Sequence, residues 1–271
     1  MFLVPMRLIS MIKTIDNAKL ISLFWIVHFS CLLIFCVGLW IRISIFLTAD
    51  KSERNIISKF LSNGTRLIKL ILNNFETFVK TLFLDSILQK DTTKLSKVRW
   101  FMHFNIGVGF ILFLIMDLVG TYTDLFHVEL KGKSLIVYDF LFELFGFMIF
   151  IGILIALSRR FLFKSEQMST NLDDAFALTF LLIVVLSGFI LEAVRLVKEP
   201  SSIGIYSFFG YFISKFMNIS DNAVHTFHEH LWITHSLLSS LFIAYFPFSK
   251  FFHVFTTPLS IFLNTVSKVR E

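Results

Sequence analysis

The sequence predicts an all-α membrane protein, a bundle of five transmembrane helices. Three observations carry that expectation. The 271 residues are 56% hydrophobic and include 36 phenylalanines, and the mean hydropathy is +0.77, well beyond what a soluble domain carries. Several apolar runs approach the roughly 20 residues a helix needs to cross the hydrocarbon core. Nothing shows the alternation of a membrane β-barrel strand.

The first helix is expected over 21–41, opened by an N-terminal stretch that lacks the basic start and cleavage site of a signal peptide and reads as an attached interfacial arm. Arg99 opens the second, over 100–119. Arg159 and Arg160 close the third, 135–157, and Asp173 and Asp174 open the fourth, 175–194, as favourable N-terminal acids. The fifth runs over 231–250, with Pro247 perturbing its end. The whole chain, 1–271, reads as one membrane domain. It carries one long insertion, 50–98, whose apolar residues fall three and four apart until Asn63-Gly64 interrupts them. That pattern suggests amphipathic helices on the membrane surface, which would also suit docking of a soluble partner. The aromatic run YSFFGYF in the connection between helices four and five suggests a second interfacial piece.

Orientation follows from the basic residues. Seventeen lysines and arginines fall on the side of the insertion, the third-to-fourth connection and the tail, against eight on the other. The positive-inside rule therefore puts the N-terminus outside and the C-terminus in the cytoplasm, as a multi-pass protein of the cytoplasmic membrane. The net charge of +6 reflects that topology, and no folded basic module points to nucleic acid. The two cysteines, Cys31 and Cys36, lie within helix one with no CxxC spacing, so no iron-sulfur cluster is expected in this chain.

Histidine carries the chemistry. An ionisable side chain in lipid is costly and is usually turned inward for a functional reason. His235 and His253 are 18 residues apart, five turns of a continuous helix, so both would share a face about 27 Å apart along the axis. Helix one offers His28 near the outer margin, and helix two offers His103 near the inner one. Outer His28 with His235, and inner His103 with His253, would make two bis-imidazole pairs, each able to hold the iron of one b-type haem. His228, seven residues before His235, is the alternative outer ligand. Arg42 and Lys250 at the inner margin, with Arg195 and Lys198 at the outer, could meet haem propionates or simply set topology. His127 reads as a solvated loop residue, and the HxExH of His228, Glu229 and His230 lacks zinc-protease order.

These residues carry a resemblance. LWITHSLLSSLFIAYFPFSKFFHVFTTP, VRWFMHFNIGVGF and the stretch from SRRFLFKSEQ to ILEAVRL resemble the haem-b subunits related to the gamma subunit of respiratory nitrate reductase. They resemble more closely the membrane subunit of heterodisulfide reductase and its relatives in sulfate- and sulfur-metabolising complexes. The W-x-x-H of Trp232 and His235, followed 18 residues later by His253, is the most specific element. The resemblance implies a two-haem cytochrome exchanging electrons between a membrane quinone, or methanophenazine, and a cytoplasmic iron-sulfur subunit of heterodisulfide-reductase type. It carries ligand roles onto His235, His253 and His103. Helix two lacks the second histidine of the nitrate-reductase subunit, so the fourth ligand, His28 or His228, comes from elsewhere. Asp117, Asp139, Glu143 and Glu192, near outer helix ends, are candidate acceptors of quinol protons. A haem-free anchor or transporter component is the alternative function.

Overall fold

The computed structural model describes residues 15–47, 56–82, 96–126, 128–162, 172–198, 200 and 202–270. The expectations for residues 1–14 and for His127 lie outside them. The described residues are predominantly helical, and no strand occurs among them. Five helices are long and apolar enough to cross a membrane: Ser22–Phe46, Lys97–Gly120, Lys133–Phe161, Leu172–Lys198 and Ala223–Phe248. They belong to α1 (Ile15–Leu47), α4 (Lys97–Leu125), α5 (Lys133–Phe161), α6 (Leu172–Lys198) and α8 (Asp221–Tyr245). "Outer" and "inner" are used below in the sense that the charge count predicts.

The helices pack as a sequence of neighbours, α4 on α5, α5 on α6, α6 on α8, and α8 on α1. A core of Phe113, Ile149, Ile153, Leu181, Val184, Phe189, Phe242 and Phe246 draws the middle of the bundle together. A close backbone approach falls at Gly152, where an added Cβ would stand 2.6 Å from Ile106 Cγ1 and 3.0 Å from the Ile106 nitrogen. Small residues let membrane helices pack backbone to backbone in this way. Outside this core, α1 turns Leu23, Ile26, Phe29 and Leu33 to the exposed side. Cys31 is buried, and Cys36 lies on that exposed face.

Within the insertion expected over 50–98, the described residues form α2 (Ile56–Asn73) and α3 (Phe75–Thr81), and the expectation for 50–55 and 83–95 lies outside the described residues. The interruption expected at Asn63-Gly64 falls instead at Asn74, between these two helices. Gly64 stays helical because it is where Trp40 of α1 packs, its indole ring filling the space a Cβ would need. The C-terminal helix α9 (His253–Arg270) joins this layer, and Leu259, Phe262 and Val266 pack with Ile43, Leu67, Ile71 and Phe78. On the outer side, α7 (Phe208–Ser214) lies against α6 at Gly210, where a Cβ would meet Glu192 Cγ at 2.7 Å.

The fifth span differs most from the single helix expected over 231–250. It begins ten residues earlier, at Asp221, and ends at Tyr245. Two 3-10 turns, Phe246–Phe248 and Lys250–Phe252, follow, with Ser249 extended between them at φ −91°, ψ 173°. Pro247 offers no N–H to continue the ladder, and the Ser249 hydroxyl accepts the Phe251 N–H that the break would leave bare. His235 and His253 therefore sit on separate helices, and five-turn arithmetic does not relate their faces.

Candidate functional site: two layers of membrane histidines

The outer layer lies where α1, α6 and α8 meet. His28 and His235 are both buried, 2% and 0% exposed. His28 Nδ1 and the Ser240 hydroxyl are 3.0 Å apart. Ser240 has one proton, and it is donated to the Ser236 carbonyl at 2.8 Å. Its oxygen must therefore accept from His28, so the His28 proton is on Nδ1. His235 repeats the arrangement with a different helix. Its Nδ1 lies 2.7 Å from Ser187 Oγ on α6, and the Ser187 proton goes to the Val184 carbonyl at 2.9 Å. In both rings the lone pair is left on Nε2, with Ser239 Oγ a longer 3.3 Å from that of His235.

The inner layer follows the break. His253, the first residue of α9, is exposed, and its Nδ1 donates to the Lys250 carbonyl. A carbonyl can only accept, so this proton too is on Nδ1. His103 of α4 is half-buried, within electrostatic reach of His253. Asp174 anchors this end. It accepts from Arg160 at 2.7 Å and pairs with Lys250 at 2.5 Å, tying the ends of α5 and α6 to the residue whose carbonyl orients His253. Arg42 lies over the Phe252 ring, 5.2 Å from its centroid.

The alternative outer residue, His228, is also 2% exposed, but its Nδ1 has no hydrogen-bond partner among the described residues. It lies within electrostatic reach of Glu192, Arg195 and Lys198. Arg195 gives two hydrogen bonds to Glu192, at 2.6 and 2.8 Å. His230 is exposed and bonds the Thr226 carbonyl, so His228 and His230 occupy different faces. Among the candidate proton acceptors, Asp117 and Glu143 are buried, and Glu143 accepts the Gly210 N–H at 2.6 Å. Asp139 is half-buried. A small cavity between α4, α5 and α6 is lined by Glu143 with Phe110, Phe113, Phe142 and Phe189.

Sequence reasoning missed the serines. Ser187 and Ser240 decide which nitrogen of each outer imidazole carries the proton, yet a serine in a membrane helix reads as a small packing residue. The signal in the sequence was the run of Ser236, Ser239 and Ser240 immediately after His235.

Residues 79–261 match the family model of HdrE, a component of dihydromethanophenazine:CoB--CoM heterodisulfide reductase. The corresponding proteins of that reductase from Methanosarcina acetivorans and Methanosarcina mazei are each 32% identical to the chain, over 193 and 198 residues. These matches span 69% of this chain and 66% and 67% of theirs, so the chain spans about two thirds of the length of these relatives, just under in the first case. An EtfAB:quinone oxidoreductase of Syntrophomonas wolfei is 24% identical over 269 residues, 95% of this chain and 35% of that one. No solved structure matches. Five apolar spans define a multi-pass membrane protein. Within that class, the chain belongs to the HdrE family of heterodisulfide reductase membrane subunits.

Proposed function

We propose that the chain is a di-haem b-type cytochrome subunit carrying electrons between a lipid-soluble carrier, quinone or methanophenazine, and a cytoplasmic iron-sulfur subunit of heterodisulfide-reductase type. The supporting observation is the protonation pattern. His28, His235 and His253 each have Nδ1–H held by an oxygen acceptor, which leaves Nε2 as the electron-pair donor. An imidazole fixed through its other nitrogen in this way is the form that ligates iron. The residues fit haem.

His28 and His235 would hold an outer haem, and His103 and His253 an inner one. His228, whose Nδ1 lacks such an acceptor among the described residues, is the weaker outer candidate. When bound, each haem supplies a one-electron ferric/ferrous couple. The chain's own part is to fix the imidazoles, exclude water and place cations at the margins. Arg42 over Phe252 is set to meet an inner propionate, and Lys250 is shared with Asp174. The names of the relatives, one a reductase using dihydromethanophenazine and one a quinone oxidoreductase, support a lipid-soluble carrier. The layer of α2, α3 and α9 is the proposed docking platform for the iron-sulfur partner. Its place on the cytoplasmic side rests on the charge count.

Haem quantification and reduction by an added quinol test this reading. Two haems per chain with reduced b-type absorption bands are expected. A colourless but fully helical preparation from cells supplied with haem would overturn it.

A further inference from the structure

One side of α8 carries a row of which the haem reading relies only on the last member, Ser240. His228, Trp232, Ser236 and Ser240 follow at four-residue intervals, the spacing that lines side chains along one side of a helix. Trp232 meets Phe24 of α1 with ring centroids 5.3 Å apart, and Ser240 holds His28, so this part of the row faces α1, while His228 stands towards Glu192, Arg195 and Lys198 of α6. Its first three members are 2%, 2% and 0% exposed. Each has a polar atom with no hydrogen-bond partner among the described residues: His228 Nδ1, Trp232 Nε1 and Ser236 Oγ. Buried polar atoms are almost always paired, so three in succession on one face point to a ligand.

The chemistry of the row narrows what that ligand is. An indole N–H only donates, so the ligand must bring an acceptor, while hydroxyl and imidazole serve either direction. The three groups are neutral, and the nearby Arg195 is already doubly bonded to Glu192, so a neutral acceptor suits the row better than a carboxylate. Beside it stand Phe24, Trp25 and Phe29 with ring centroids 5.2 to 5.5 Å apart, a surface on which a flat ring can stack. Phe29, at one end of this aromatic surface, is exposed, as are Leu23 and Ile26 of the same helix.

We propose that His228, Trp232 and Ser236 form the head-group site for the lipid-soluble carrier, a neutral planar ring with a carbonyl oxygen or ring nitrogen as acceptor, entering between α1 and α8. This rests on the proposed electron-carrying function and adds the residues that recognise the carrier. It gives His228 a role in binding the carrier in place of iron ligation.

The test is equilibrium binding of an oxidised short-chain naphthoquinone to the purified haem-loaded protein in lipid nanodiscs. Trp232→Phe and Ser236→Ala should each weaken Kd by about fivefold, as loss of one neutral hydrogen bond predicts. Haem content and both midpoint potentials should stay unchanged. Unaltered affinity in both variants, with haem present, would overturn this site and leave the function standing. Unaltered affinity with lost haem, or with a shifted outer potential, would give the row to a haem propionate and also overturn it. Absence of haem from the unsubstituted protein would sink the function itself, and the binding ratio between variants would still report on the row.

Discussion

His235 donates its Nδ1 proton to Ser187 across the interface between α8 and α6, and Ser187 passes its own proton to Val184 in turn. The imidazole's orientation is thus set by a neighbouring helix. An acceptor on Nδ1–H makes the ring a stronger electron donor through Nε2. If His235 ligates the outer haem as proposed, Ser187→Ala should raise that haem's midpoint potential by about 40 mV, the scale of one neutral hydrogen bond in a one-electron couple. Ser187→Thr should restore it. A redox titration followed by optical absorption reads both, and an unchanged potential in the alanine variant would remove Ser187 from the ligand's support.

Each ligand assignment has its own variant. His253→Ala should lose the inner haem and retain the outer one, still reducible by quinol, whereas His28→Ala should lose the outer haem. His228→Phe, which keeps the volume and removes both nitrogens, should retain two haems. Haem counts by alkaline pyridine spectra decide among these. Loss of a haem with His228→Phe and none with His28→Ala would exchange the two roles.

Asp174 is the hinge pin of the inner end, 16% exposed beside an Arg160 side chain that is 13% exposed. Lys250, at 55%, is largely screened. Asp174→Asn should lower stability by about 2 kcal/mol, mainly by stranding Arg160. Lys250→Ala should cost about 0.5 kcal/mol. Thermal unfolding in detergent should rank them in that order.

At Gly152, the Ile106 nitrogen and the Met102 carbonyl lie 3.0 and 3.1 Å from where a Cβ would stand. A helix backbone cannot swing aside as a side-chain tip can. Gly152→Val should force α4 from α5 and destabilise by about 1–3 kcal/mol. Gly107, with nothing within 4 Å of its built Cβ, should accept alanine with little change. Melting temperatures of the pair test the contrast.

The spans were legible because hydropathy over twenty residues integrates many weak preferences, and the caps at Arg159, Arg160, Asp173 and Asp174 marked real ends. The outer start of α8 was not. The stretch from Asp221 to His230 is polar, and hydropathy discards a helix there even though the backbone continues. Asn63-Gly64 looked like a breaker because local propensity says nothing of Trp40 arriving from another helix. Pro247 announced a disturbance, but Ser249 turned a kink into a full interruption. From the sequence the histidines could be sorted only by expected depth, and their pairing in two layers is the proposal made above. The proton positions within them depended on serines of α6 and α8, whose register only packing discloses.

The interruption at 246–252 makes the fifth span two rods on an elbow. Leverage on α9 could tilt the His253 ring while the upper rod, clasped by α1 and α6, kept His235 still. On the proposed reading the inner ligand His253 and the outer ligand His235 belong to separate rods, so a displacement of the first need not be carried along a helix axis to the second.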